Sequence, residues 1–215
     1  MKSFFLLSIS VLSFLFISCQ KEDVFYSCDP KVDAWTKDNL REIQSIDTES
    51  FRKYDTNYRL AIFNAISPEK RIIIWKEKIN ETLKLNWNKA ESDHIKQLLT
   101  IINENIEWYE SGVPENELNK YEIMAYRWAD YSRKELGWNN ELIAAIAASP
   151  LLLKNTDGEL IVSPAKMGIR LKSEVEQCTC NPTVSFCSPC RYDPCDKKSF
   201  GCGLLGLGIC NGLGC

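Results

Sequence analysis

Ten cysteines occur in 215 residues, and eight of them, Cys178, Cys180, Cys187, Cys190, Cys195, Cys202, Cys210 and Cys215, fall within the last 38 positions. Thiols at this density have two chemistries open to them, disulfide formation and zinc ligation. Structural zinc calls for two CxxC-type pairs separated by a dozen or more residues. Here a CxC is followed by gaps of six, two, four, six, seven and four residues, and Cys187 with Cys190 makes the one CxxC. The spacing favours disulfides over metal, and no βαβ pattern gives that CxxC a thioredoxin-like setting. Bridges also answer a stability problem. A piece under ~40 residues buries too little apolar surface to fold alone, and each bridge contributes about 2 to 4 kcal/mol. The pairing is open.

Other reactive side chains are sparse. His94 is the single histidine, near the start of a polar-fronted helix with no partner at ligand spacing, and it reads as a surface or capping residue. The usual base for nucleophilic catalysis is therefore nearly absent. Asp and Glu fall on the polar faces of helices and read as solvated surface. Trp35, Trp75, Trp87, Trp108, Trp128 and Trp138 sit mostly at core-facing helical positions, where packing is favoured over a ligand groove. The run GCGLLG, Gly201 to Gly206, matches GxGxxG, but the dinucleotide reading needs a strand before it and a helix starting on it, with room for a crossover. Close to the terminus and inside a cysteine cluster, it is set aside. Six of the ten glycines lie between Gly201 and Gly214, and GLLGLGICNGLG carries no charge. Exposed, that run is an apolar patch for a membrane or protein partner; buried, it is the tail's own core.

The elements ahead of this tail read as helix after helix. In SPEKRIIIWKEKINETLKL, Ile72, Trp75, Ile79 and Leu83 step by three and four behind Ser67 as N-cap and Pro68 at the first helical position, with Lys70, Lys76, Glu77 and Glu81 opposite. Ile95, Leu98, Leu99, Ile102, Ile106 and Tyr109 repeat the spacing up to a stop at Gly112 and Pro114. Leu118, Tyr121, Met124 or Ala125, Trp128 and Tyr131 predict a third long helix ending at Gly137. Shorter helices are expected over Val32 to Gln44, Asn57 to Ile66 and Asn140 to Ala148, the last apolar nearly all round and so central. Short connections favour antiparallel neighbours. After Pro150 a turn signal at Asn155 to Gly158 precedes a short β-like run, Glu159 to Val162, in what is either a small hairpin or a linker.

The beginning of the chain bears on the redox setting. Lys2 precedes an apolar run from Phe4 to Ile17 that, as a helix, rises about 21 Å against a ~30 Å hydrocarbon core, so it reads as an export signal and not a span. An exported chain oxidises its thiols. A composition of 45% apolar and 26% charged residues is that of a globular body, and a net charge of −3 offers no basic field for nucleic acid.

The residues FISC, Phe16 to Cys19, resemble the lipobox of bacterial lipoproteins, and QKED after them resembles an acidic surface-export tag. That resemblance implies acylation of Cys19 and a membrane tether, with several acyl chains holding far longer than one. Cys28 is then left over: it is free, bridges another chain, or displaces one of the eight. The order CTC, a Cys six residues on, GCG and a final glycine-rich cysteine pair resembles the fulvocin C-related bacteriocin family of Bacteroidota, exported proteins with such a module at the C-terminus. The resemblance spans 38 residues by motif, together with the layout of signal, helical region and cysteine-rich tail. It implies no catalytic residue and no cofactor.

The expected architecture is mainly α: a signal peptide at 1–18, a tether at 19–30, an irregular antiparallel helical bundle at 31–150, a linker or small hairpin at 151–177, and a small disulfide-rich, loop-dominated module at 178–215. The expected function is non-enzymatic. An exported outer-membrane or cell-surface lipoprotein, secreted if processed near Lys172, presents or holds inactive a bacteriocin-like module that acts on or binds a target bacterial envelope or receptor. The alternative is a non-toxic surface lipoprotein serving as a binding or scaffolding module.

Overall fold

The computed structural model describes residues 24–27, 29–110, 113–162 and 199–210, with 199–202, 209 and 210 described by their backbone. The described chain is mainly helical. It runs α1 (Pro30–Asp38), α2 (Leu40–Ser45), α3 (Thr48–Arg52), α4 (Thr56–Ala65), α5 (Pro68–Thr82), α6 (Lys89–Glu104), a 3-10 turn at Ile106–Tyr109, α7 (Glu115–Lys134) and α8 (Asn140–Ala147), followed by a two-stranded hairpin, β1 (Ser199–Cys202) and β2 (Gly208–Cys210). Among the described residues no helix is long and apolar enough to cross a membrane.

Helix starts follow local chemistry. Ser67 accepts from the Lys70 amide with Pro68 in the first turn, as expected. Asn88 and Glu91 close a reciprocal capping box on α6, each side chain accepting from the other's amide at 3.0 and 2.9 Å. Asn139 caps α8 through the Leu142 amide.

Three boundaries differ from expectation, and asparagine or aspartate explains each. The segment Val32 to Gln44 is two helices, divided at Asn39, whose side-chain amide donates to the Trp35 carbonyl. α3 is an added short helix, begun by Asp47 accepting from the Ser50 amide. The long helix expected to reach Tyr109 stops at Glu104, because Asn105 leaves helical geometry (φ −137°, ψ 47°) and bonds back to the Ile101 carbonyl. The 3-10 turn that follows exposes Ile106 and buries Trp108 and Tyr109.

One apolar core joins α5 (Ile74, Trp75, Ile79), α6 (Ile95, Leu98, Ile102), α7 (Tyr121, Ala125, Trp128) and α8 (Ile143, Ile146). Of the two readings offered for the stretch after Pro150, the described part is a tight turn. Asn155 Oδ1 accepts from the Asp157 and Glu159 amides, and Leu153 bridges Leu160 antiparallel. Leu151 and Leu153 are buried.

Candidate functional site

The described part of the uncharged Gly-Leu run, Gly203 to Leu207, is neither an exposed patch nor a core of its own. Leu204, Leu205 and Leu207 are buried as members of the helical core, together with Phe63, Trp75, Tyr109 and Tyr121. β1 lies beside α4 and antiparallel to β2, with Ser199 opposite Cys210, Phe200 opposite Ile209 and Cys202 opposite Gly208. The tip between the strands, Gly203 to Leu207, enters the body as a 3-10 turn over Leu204–Gly206.

Its backbone is unusual. Gly203, Leu205 and Gly206 have φ of 69°, 57° and 65°, and Leu205 is the one non-glycine residue with positive φ among the described residues. A left-handed leucine costs about 1–2 kcal/mol. Burial outweighs that cost, since a fully buried leucine contributes roughly 1.5–3 kcal/mol and Leu205 is wholly inaccessible.

Two tyrosines read the tip's carbonyls. Tyr121 Oη donates to the Leu204 carbonyl at 2.9 Å, and Tyr109 Oη to that of Leu205 at 3.4 Å. Burial pushes both phenols well above their ordinary range, so both stay protonated and able to donate. The fit around the glycines is close. A Cβ on Gly203 would lie 2.7 Å from Tyr121 Oη, and one on Gly206 would lie 3.1 Å from both Phe63 Cζ and Trp75 Nε1. The Trp75 indole N–H is buried at this contact with no hydrogen-bond partner.

A buried arginine fixes the walls of the seat. Arg71 on α5 donates from Nε to the Phe63 carbonyl (2.8 Å), from Nη1 to that of Tyr109 (3.0 Å) and from Nη2 to that of Asn64 (2.9 Å). It thereby ties the end of α4 to the 3-10 turn that carries Tyr109. Trp108 meets Tyr121 edge-on at 5.9 Å and packs against that ring.

The structure corrects the reading of His94. It is buried, not a surface or capping residue: its ring stacks on Trp128 (4.6 Å, 10°) and lies 4.7 Å from Tyr131. Nε2 is 2.9 Å from Ser132 Oγ and 3.1 Å from the Trp128 carbonyl. Burial lowers its pKa below 6.5, the bond to Trp128 partly opposing this. Trp138 and Trp87 continue the aromatic cluster, which is packing, as expected for the tryptophans. Tyr131, placed on the buried side by the periodicity, is 46% exposed and covers His94.

Lys78 had no signal in the sequence. It is fully buried on α5 and donates from Nζ to the Leu151 carbonyl. Desolvation, and secondarily the nearby Arg52 charge, push its pKa down to about 6. The buried face of α5 is Arg71, Ile74, Trp75, Lys78, Ile79 and Thr82, rotated from the apolar series Ile72, Trp75, Ile79, Leu83. Distant carbonyls satisfy its two charged members, which hydropathy cannot register.

Of the expected disulfide cysteines, Cys202 lies in β1 and Cys210 in β2, staggered in register. Cys178, Cys180, Cys187, Cys190, Cys195 and Cys215, with the lipidation candidate Cys19 and the leftover Cys28, lie outside the described residues. The GCGLLG match is followed by the 3-10 turn and β2, not by a helix that could face a pyrophosphate. No family model, curated protein or solved structure matches this chain.

Proposed function

We propose that this chain is an exported, lipid-anchored, bacteriocin-like protein whose helical body holds its C-terminal module in a latent state. The observation that carries this reading is the burial of Leu204, Leu205 and Leu207 in the helical core. The uncharged run is the part of the tail suited to an apolar target, and the intact chain withholds these three of its leucines. Support for export and anchoring comes from residues 1–19, and support for the bacteriocin character comes from the fulvocin C-like order of cysteines and the density of thiols expected to form bridges. In this reading the lipid on Cys19 keeps the body at the surface, and cleavage near Lys172 frees the tail to meet a target envelope.

The test is a killing assay on sensitive relatives with two forms of the oxidised protein, the intact full-length chain and a cut form in which the tail, released at a protease site placed between residues 163 and 177, is separated from the body in urea and dialysed. Killing by the cut form and weak or no killing by the intact form is the expected result. No effect of either form at micromolar dose overturns the toxin reading and leaves the non-toxic binding or scaffolding lipoprotein.

A further inference from the structure

We infer that the helical domain is a receptor for the tip of its own tail, able to retain and recapture the Gly203–Leu207 turn after the connecting chain is cut. The inference deepens the latency reading and rests on it only in treating the tail as separable; it does not depend on killing.

The geometry is that of a recognition site. The walls come from chain positions far from the ligand: Phe63 on α4, Trp75 on α5, Tyr109 on the 3-10 turn and Tyr121 on α7. Between the body's last described residue, Val162, and Ser199 lie residues 163–198, so a cut there leaves wall and tip intact. Every contact described between the two is non-covalent.

The site is also selective. Two donors on different elements meet the carbonyls of consecutive residues, Leu204 and Leu205, which an extended strand, alternating its carbonyls, does not present together on one side. Room for a side chain is lacking at the first and fourth positions of Gly-Leu-Leu-Gly, where φ is positive as well. The ligand class is thus a Gly-x-x-Gly turn at a hairpin tip, apolar at its middle positions, with Leu207 entering behind it. Among molecules available to the body, the tail of this same chain has that chemistry. A body that rebinds its own released tail protects the surface to which it is anchored.

The test uses the full-length chain with Cys28→Ser, so that no bridge from Cys28 ties the pieces together, and with residues 166–172 replaced by the recognition sequence of a site-specific protease. After complete cleavage, the tail piece is expected to co-elute with the body on gel filtration at micromolar concentration. It is also expected to exchange into a differently tagged cut sample. Tyr121→Phe, which keeps the ring and loses one donor, is expected to weaken retention by about fivefold to a hundredfold. Gly206→Ala is expected to weaken it further. Separation of the wild-type pieces overturns the inference, as does retention that neither variant alters. A dimer formed by tail exchange between uncut chains supports it, because the seat then accepts the tip from another copy. A tail that co-elutes with the body yet never kills once separated from it in urea overturns the latency reading alone, and pieces that separate unaided and kill overturn the receptor alone.

Discussion

The Tyr121 hydroxyl donates to the carbonyl of Leu204, 83 residues further along the chain, and both groups are buried. This single bond joins the longest helix of the body to the tip of the tail. Tyr121→Phe leaves the Leu204 carbonyl without its donor in a dry site, which costs about 1–3 kcal/mol. A urea unfolding midpoint lowered accordingly, with an unchanged slope, is the expected outcome. Tyr109→Phe, whose bond is longer, is expected to shift the midpoint less.

Two glycines with nearly the same φ separate backbone strain from close packing. A Cβ on Gly137 (φ 68°) would meet nothing within 4 Å, whereas one on Gly206 (φ 65°) would press on Phe63 and Trp75. Gly137→Ala is expected to lose about 1 kcal/mol from the left-handed backbone alone. Gly206→Ala should lose clearly more, and equal losses in denaturant titrations of the two variants would argue against the tight seat.

Lys78 makes stability depend on pH. Its pKa falls from 10.5 in the ordinary case to about 6 in the folded state, by burial first and Arg52 second. Between those values the unfolded chain binds a proton that the folded chain does not, so stability rises with pH, by up to about 1.4 kcal/mol per pH unit. Below about 6 both states are protonated and the full penalty remains. Lys78→Met removes this contribution, and its unfolding midpoint plotted against pH should be flatter than that of the wild type over this window.

His94 offers a clean titration because the chain has a single histidine. Its imidazole resonances should move with a midpoint below 6.5, reflecting burial against Trp128. Stability from keeping it neutral is present above 6.5 and declines as pH falls through that value towards the folded-state pKa. A midpoint at or above 6.5 would contradict the stacked, desolvated ring.

The cysteine chemistry can be read by mass. Protein isolated from its native host should carry an acyl modification at Cys19, and reduction should release eight thiols from residues 178–215 as four bridges open. Eight titratable thiols in residues 178–215 before reduction, or one bound zinc per chain, would remove the disulfide module on which the bacteriocin reading depends.

Much of the body was legible in the sequence because its signals are local. Ser67 with Pro68 marks a helix start through a bond spanning three residues. The series Ile95, Leu98, Ile102 marks a buried face through one helical period. The same reasoning ran past Asn105, where a side chain competing for the Ile101 carbonyl outweighed a continuing apolar pattern.

What the sequence determined by itself was therefore the helical class, most helix positions, and the presence of an uncharged Gly-Leu run among clustered cysteines. Only the tertiary structure decided that Arg71, Lys78 and His94 lie inside, and that Leu204, Leu205 and Leu207 of the Gly-Leu run complete the core of the helices instead of standing apart from it. The reason is physical: a polar group can be buried, or a left-handed leucine sustained, only when its partners are in place. Here those partners, the Tyr109 and Leu151 carbonyls and the Tyr109 and Tyr121 hydroxyls, come from 38 to 96 residues away along the chain.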